Sequence, residues 1–338
     1  METPNLKMLA QQLKLSISTV SKALRDSHEI GEHTKKKVAA LAKKLNYQPN
    51  PHASSLRKQK SKTIAVVIPE IANNFFSLAI NGIESIAQER DYHVLIYLTH
   101  EDYTKEVNII KHLQGGRVGG LIMSLSLATK KFDHLHELTK HNIPIVFFDR
   151  ICHEIETAKV TTDDFQGGLA ATEHLIINNS KHVAFASISN TISIDNKRMQ
   201  GYLEAINKHQ IKTSNTSIIK CSNNDTNNYN KFKKILSGKK APDAIFASVE
   251  KLAVTIYEVC NDLNIKIPEQ LKVICFSNLT TAHLMKPSLS AIKQPAFEMG
   301  KEAASILFKH LDKNRTFIPN EHIVIKSSLA ARGSTAIK

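Results

Sequence analysis

The sequence predicts an all-α headpiece at the amino-terminal end, followed by an α/β core made of two parallel-sheet lobes. Apolar residues recur at helical spacing through residues 6–45, and this region is strongly basic. From Thr63 onward, short apolar runs alternate with longer amphipathic segments, which is typical of β-α units. The 338 residues suffice for two or three domains with a sizeable core.

Two short amphipathic helices are predicted between Leu6 and Arg25. The first turns inward Leu6, Leu9, Ala10 and Leu13, and the second turns inward Ile17, Val20, Ala23 and Leu24. Ser16 is the predicted N-cap of the second helix, because its hydroxyl can accept from free backbone N–H groups. This spacing is typical of a helix-turn-helix, in which the second helix reads DNA.

A third helix, from about residue 31 to 45, is predicted to close a small core and complete a headpiece of residues 1–48. Residues 49–62 have the composition of a linker, with two prolines and a basic tail. Within this linker, residues 51–57 can form a short hinge helix that starts at Pro51.

Positive charge is concentrated at the front of the chain. Residues 1–62 contain thirteen Lys or Arg against four acidic residues, so +9 of the net charge of +14 lies there. Such a field attracts a polyanion and favours nucleic acid as a partner. A solvated lysine-rich helix face would explain the lysine runs, but it would not explain the adjacent helix pair.

The continuous apolar runs after residue 62 predict parallel sheets covered by helices on both faces. The series is too long for one open sheet, so two similar lobes are predicted, with the break near residues 160–164. A ligand would then lie between the lobes.

Several other functions find little support in the sequence. The phosphate-binding glycine loops of nucleotide enzymes are missing, so no cofactor is expected. No catalytic nucleophile or metal site is predicted, and three neighbouring histidines are expected to face solvent: His134, His136 and His141. Four scattered cysteines fit reduced thiols, and neither a leader nor a membrane-spanning run is evident, so a cytoplasmic location without a membrane is expected.

The chain resembles the LacI/GalR family of bacterial regulators over nearly all its length. The matching motifs occur in order and include SISTVSKAL, LNYQPNPHASSLR, IPEIANNFFSLAINGIE, RVGGLIM, IPIVFFDR, TTDDFQGGLAATEHLI, RMQGYLEAI, LKVICFSN, PSLSAIKQPAFEMGKEAASIL and a terminal R-x-S. The resemblance implies a homodimer with a hinge helix and a core like the type I periplasmic binding proteins, residues 63–338. Lobe 1 would comprise about 63–161 and 293–325, and lobe 2 about 162–292 and 326–338.

The resemblance also assigns DNA-contacting positions. Ile17, Ser18 and Lys22 match positions that read base edges in the major groove. Leu56 matches a hinge leucine that wedges into the minor groove and kinks the duplex, its alternative being an ordinary core leucine. Ser16, Thr19 and Ser21 would hold phosphates or cap the helix. Arg25, which can meet phosphates or base edges, completes the expected DNA-contacting set together with Asn50 and Ser55.

Two positions in this DNA-binding region depart from the family pattern. Lys14 stands where the turn usually has glycine, so it either adopts a left-handed conformation at a cost of roughly 1 kcal/mol or the turn changes form. Ser54 replaces a common hinge arginine and removes one phosphate contact.

The expected ligand-binding residues follow the carboxyl ends of core strands. They are Phe75, Phe76, Asp149, Arg150, Arg198, Ser277 and Asn278. Helix-start packing is the alternative for the two phenylalanines, and a structural ion pair is the alternative for Asp149 and Arg150. Val249, Glu250 and Ser277 stand where relatives often have residues that bind hydroxyls. The expected effector is therefore sugar-like but need not be a standard monosaccharide.

The expected function is a ligand-responsive transcriptional repressor of carbohydrate-utilisation genes that binds a near-palindromic double-stranded operator as a homodimer. A sugar-binding receptor without a regulatory DNA role is the alternative. A third possibility is a hydrolase or dehydrogenase built on the same α/β architecture.

Overall fold

The computed structural model describes residues 4–47, 61–188, 193–212, 214, 216–313 and 315–336. The chain divides into two compact units, residues 1–60 and 61–338. Three expected DNA-contacting residues, Asn50, Ser55 and Leu56, and the expected hinge helix lie outside the described residues.

The described part of the amino-terminal unit, residues 4–47, contains three helices, α1 (Leu6–Leu13), α2 (Ile17–Leu24) and α3 (Glu32–Lys44). Their inner faces meet around three fully buried side chains, Leu9, Val20 and Val38. The predicted headpiece helices are therefore confirmed, and their apolar spacing is what joins them.

Lobe 1 of the second unit has a six-stranded sheet whose pairings are all parallel, in the order β11-β5-β4-β3-β1-β2. Its strands are β1 (Thr63–Ile68), β2 (His93–Leu98), β3 (Gly120–Met123), β4 (Ile145–Phe148), β5 (Lys159–Thr162) and β11 (His322–Ile325). Its helices are α4 (Asn74–Glu89), α5 (Tyr103–Leu113), α6 (Asp133–Lys140) and α11 (Ala296–Leu311). Separate apolar clusters pack on its two faces.

Lobe 2 has a similar sheet in the order β12-β10-β9-β8-β6-β7, parallel except where β12 runs antiparallel to β10. Its strands are β6 (Val183–Ser187), β7 (Thr216–Lys220), β8 (Ala244–Ala247), β9 (Lys272–Phe276), β10 (Ser290–Lys293) and β12 (Ser328–Ala330). Its helices are α7 (Asp164–Ile177), α8 (Ser193–Lys208), α9 (Asp225–Leu236) and α10 (Glu250–Asp262). The predicted fold class is confirmed.

The chain passes between the lobes three times: after β5, after β10, and between β11 and β12. Hydrogen bonds join the crossing segments, since the backbone N–H of Ser327 donates to Asp163 over 2.7 Å and the Thr162 hydroxyl donates to the Ile325 carbonyl over 2.9 Å. The two lobes are therefore linked by a short, hydrogen-bonded hinge.

In each lobe, one helix pair packs closely at glycine. A Cβ on Gly82 of α4 would lie 2.0 Å from the Phe297 carbonyl oxygen in α11. A Cβ on Gly168 of α7 would lie 2.4 Å from the Arg198 carbonyl oxygen in α8. Both distances are shorter than any van der Waals contact, so these helix pairs require glycine.

One expectation about histidines is wrong. His134 is buried rather than facing solvent, and its Nε2 lies 2.9 Å from Oε1 of Glu106. Glu106 also accepts from the backbone N–H of Ser126 over 2.9 Å. Glu106, which is remote in sequence but adjacent in space, makes burial of the imidazole tolerable, because a buried polar group needs a hydrogen bond.

No helix in the described ranges is both long and apolar enough to span a membrane.

Candidate DNA interface and ligand cleft

The turn between α1 and α2 adopts the left-handed alternative predicted for Lys14. Its φ and ψ are 52° and 39°, and it ends α1 with a backbone hydrogen bond to Gln11. Leu15 continues the turn by bonding to the Ala10 carbonyl over 3.0 Å. A lysine in this conformation costs roughly 1 kcal/mol, which the turn's hydrogen bonds offset.

The start of α2 presents the side chains expected to meet DNA. Ser16 caps the helix as predicted, because its hydroxyl accepts from the Thr19 backbone N–H over 3.0 Å. Ser18 is exposed, and Ile17 is 49% exposed, so the prediction that Ile17 turns inward with the rest of its apolar stripe is wrong. Ile17 stands in the first turn of α2, outside the cluster around Val20. An exposed isoleucine beside hydroxyl groups is suited to a base edge that carries a methyl group.

Both cationic residues of this helix have partners within the headpiece. The Lys22 ammonium pairs with Glu29, and the Arg25 Nε donates to the Ser21 carbonyl over 3.1 Å. Lys22 must leave or share Glu29 in order to reach a base. The contacts of the seven described candidates, Ser16 to Arg25, with DNA stay a prediction.

A cleft lies between the lobes, and it contains about 580 Å³ of space outside protein atoms, part of which is open to solvent. All seven residues expected to bind ligand line this one cavity: Phe75, Phe76, Asp149, Arg150, Arg198, Ser277 and Asn278. Nine further residues line the cavity: Asn73, Leu127, Ile188, Ile194, Asp195, Val249, Glu250, Phe276 and Gln294. Val249 and Glu250 occupy the positions where hydroxyl-binding groups were expected to be lost, and sequence reasoning missed the other seven. The lining comes from both lobes and from the hinge.

The aromatic part of the lobe 1 wall is formed at the start of α4. Asn73 caps this helix by accepting from the Phe75 backbone N–H over 2.9 Å. The rings of Phe75 and Phe76 meet edge to face, with centroids 5.2 Å apart. Both phenylalanines are more than 90% buried, so they serve in packing as well as in lining the cavity.

Asp149 and Arg150 follow β4 and have different partners. Arg150 donates from Nη1 to Glu101 over 2.7 Å, whereas its Nε lies 4.0 Å from Asp149. The main ion pair of Arg150 is therefore with Glu101. Burial raises the pKa of Asp149, and the nearby guanidinium groups of Arg150 and Arg198 only partly oppose this.

Arg198 in α8 is buried in the lobe 2 wall. Its Nε donates to Asp164 over 2.8 Å, its Nη1 donates to the Ser248 carbonyl over 2.6 Å, and its guanidinium lies 3.7 Å from the Phe276 ring centroid. Burial raises the pKa of Asp164 to about 6 despite the adjacent guanidinium. This network fixes the orientation of Arg198 in the cleft.

Two further polar pairs complete the lobe 2 side and the hinge. The Ser277 hydroxyl donates to Glu250 over 2.6 Å, which links the end of β9 to the start of α10. Asn278 donates to the Gln294 carbonyl over 2.7 Å, and the Gln294 amide donates to Asp149 over 3.4 Å. Asn278 thus joins the end of β9 to the crossing segment that contains Gln294, in addition to lining the cavity.

Two of these further lining residues could have been predicted to bind ligand from the sequence. Asp195 and Glu250 lie in the first turns of the helices that follow β6 and β8, and ligands bind at the carboxyl ends of such strands. Gln294 belongs to a segment that crosses between lobes. No periodic pattern marks such a segment.

Comparisons with known proteins agree with this geometry. Residues 5–50 match the model of bacterial regulatory proteins of the lacI family, and residues 172–335 match the periplasmic binding protein-like domain. The catabolite control protein A of Staphylococcus aureus (strain Mu50 / ATCC 700699) is 28% identical over 329 residues, covering 97% of this chain and 98% of that protein. The Priestia megaterium protein of the same name is 27% identical, covering 90% and 92%.

Solved structures show the same architecture. The Lac repressor dimer bound to operator and the anti-inducer ONPF superposes with a TM-score of 0.84 at 18% identity and covers 99% of both chains. A LacI family transcriptional regulator from Enterococcus faecium with bound ribose gives 0.72 at 26% identity, covering 81% of this chain and 98% of that one. With matching models at both ends and full-length relatives, the chain belongs to the LacI/GalR family of DNA-binding bacterial transcriptional regulators.

Proposed function

We propose that this protein is a repressor of carbohydrate-utilisation genes that binds a near-palindromic operator as a homodimer and responds to a saccharide in the cleft. The observation that carries the DNA part is α2, a capped helix that presents Ile17, Ser18 and Lys22 at its surface. Paired headpieces of this kind read two half-sites about 34–36 Å apart.

The effector part rests on the cleft. An apolar wall with convergent polar groups at carboxyl ends of strands suits a small hydroxylated ligand. Relatives of known structure were solved with cellobiose and with ribose. We therefore expect a saccharide between the lobes of this protein as well.

The coupling would run through residues 49–62. A ligand that prefers one lobe arrangement shifts the population of that arrangement. Lobe rotation would then set the distance between the two hinge segments of the dimer and decide whether they fold on DNA.

This proposal implies a protein that binds and does not catalyse, and that works in the cytoplasm where its operator is. The alternative is a sugar receptor without a regulatory DNA role. The exposed recognition helix favours the regulator, since a receptor has no use for it.

The test begins with operator selection. The full-length protein is used to enrich genomic fragments, and the bound site is footprinted. We expect protection of two symmetric half-sites, with affinity that changes when a saccharide is added.

Variants then test the recognition helix. Lys22→Ala should weaken specific binding more than nonspecific binding, because losing a base contact costs about 1–3 kcal/mol at the specific site alone. Lys36→Ala, on the exposed face of α3, is the control and should weaken both about equally. If Lys22→Ala weakened specific and nonspecific binding equally, Lys22 would be a phosphate contact and not a base contact. If no genomic site were enriched, the proposal that the protein is a regulator would be refuted.

A further inference from the structure

The cleft is surrounded by more carboxylates than cations. Asp149, Asp195 and Glu250 line the cavity, and two further carboxylates, Glu101 and Asp164, lie directly behind its wall. Among the described residues, the cationic groups in the cleft wall are Arg150 and Arg198, and Lys197 acts on Asp164 from outside the cavity.

Each cleft arginine already has its own carboxylate. Arg150 is paired with Glu101 at 2.7 Å, and Arg198 is paired with Asp164 at 2.8 Å. An anionic ligand would have to separate one of these pairs or share its guanidinium. Leaving a buried carboxylate without its partner is strongly unfavourable.

Two lining carboxylates accept hydrogen bonds from neutral groups. Asp149 accepts from the Gln294 amide over 3.4 Å, and its only cation within 4.0 Å among the described residues is Arg150. Glu250 accepts from the Ser277 hydroxyl over 2.6 Å. Both can accept hydrogen bonds from the hydroxyl or ammonium groups of a ligand.

Building on the proposed function, we infer that the effector is a saccharide that carries no phosphate or carboxylate group, and that Glu250 sets this discrimination. Glu250 stands at the start of α10, so its carboxylate faces the cleft from the lobe opposite the aromatic wall. A hydroxyl or amine is attracted to it, whereas an anion is repelled. An amino sugar should bind at least as tightly as its neutral counterpart.

The inference is tested by calorimetric titration of the full-length protein with matched sugars. Each set contains a hexose, its 2-amino derivative, its uronate and its 6-phosphate, in the glucose, galactose and mannose series. We expect a neutral or amino member to bind, and the anionic members of that series to bind at least about tenfold more weakly, because like charges a few ångströms apart repel.

Glu250→Gln removes the charge while keeping the size of the side chain. This substitution should reduce the ratio of the affinities for neutral and anionic sugars by about tenfold, and it should weaken binding of the amino sugar. Glu258→Gln, on an exposed face of the same helix, is the matched control and should leave all affinities unchanged. Circular dichroism verifies that both variants are folded.

Three outcomes would overturn the inference: tightest binding of an anionic sugar, no binding by any member of the panel, or equal behaviour of Glu250→Gln and Glu258→Gln. None of these outcomes involves DNA. If operator selection fails while neutral sugars bind, the proposed regulatory function is wrong, whereas the inferred class of ligand is supported.

Discussion

The two walls of the cleft differ in what they offer a ligand. The lobe 1 wall has two phenylalanines, Phe75 and Phe76, beside one pair of charged residues, Asp149 and Arg150. The lobe 2 wall contributes three ionisable residues, Asp195, Arg198 and Glu250, beside Phe276 and several aliphatic side chains. A sugar has an apolar face and a rim of hydroxyls, so we expect the lobe 1 phenylalanines to stack on the sugar and the lobe 2 polar groups to form most of its hydrogen bonds.

The largest expected difference between the walls concerns their arginines. Arg198→Met leaves Asp164 buried without its partner and should cost about 3–5 kcal/mol of unfolding free energy. Arg150→Met should cost less than about half of that, because the Arg150 and Glu101 side chains are 17% and 15% exposed to water. Urea denaturation measures both. Equal losses of unfolding free energy in the two variants would mean that the two ion pairs contribute equally to stability.

The glycine contacts offer a second comparison. Gly168→Ala and Gly82→Ala each force a methyl group into a backbone carbonyl and should each cost about 1–3 kcal/mol. Only Gly168→Ala presses on the backbone of Arg198, so it alone should also weaken saccharide binding. Denaturation combined with ligand titration measures this, and loss of affinity in both variants would contradict the assignment.

The pH dependence should separate Asp164 from ordinary surface acids. Its folded pKa of about 6 lies above the usual 3.8, so between these values the folded state binds more protons than the unfolded state. Its contribution to stability is therefore greatest below pH 4 and falls as the pH rises through 6, by up to about 3 kcal/mol. In urea titrations, the unfolding free energy of the wild type should fall relative to that of Asp164→Asn between about pH 4.5 and 7. The Glu258→Gln variant should show the same pH dependence of the unfolding free energy as the wild type.

The smallest expected effect is on the aromatic wall. Phe75→Leu should weaken saccharide binding by about 0.5–1.5 kcal/mol through the lost stacking. The matched control is Phe232→Leu in the apolar core of lobe 2, which should lower stability without changing affinity. Unchanged affinity in Phe75→Leu would assign that ring to packing alone.

Periodicity predicted the elements that pack through their own sequence pattern. The headpiece helices and the strands β1 to β4 have continuous or periodic apolar residues, so local chemistry specifies them. The strands β5, β10 and β12 contain at most two consecutive apolar residues, and both they and β11 gain their hydrogen bonds from distant partners. Their identity depends on tertiary pairing, which no local window contains.

The same limit applies to the candidate site. Residues directly after strong strands, such as Asp149 and Ser277, could be placed from the sequence. The partners that define their charge could not, because Glu101 and Gln294 come from other parts of the chain. His134 shows the same dependence, since its burial requires Glu106 from a different helix.

The three passages of the chain between the lobes affect how the protein is made. Lobe 1 needs α11 and β11, which follow most of lobe 2 in the sequence. A nascent chain that has emerged only as far as residue 290 therefore lacks a helix and an edge strand of the lobe it started first. Neither lobe can finish folding on the ribosome before almost the entire protein has been synthesised.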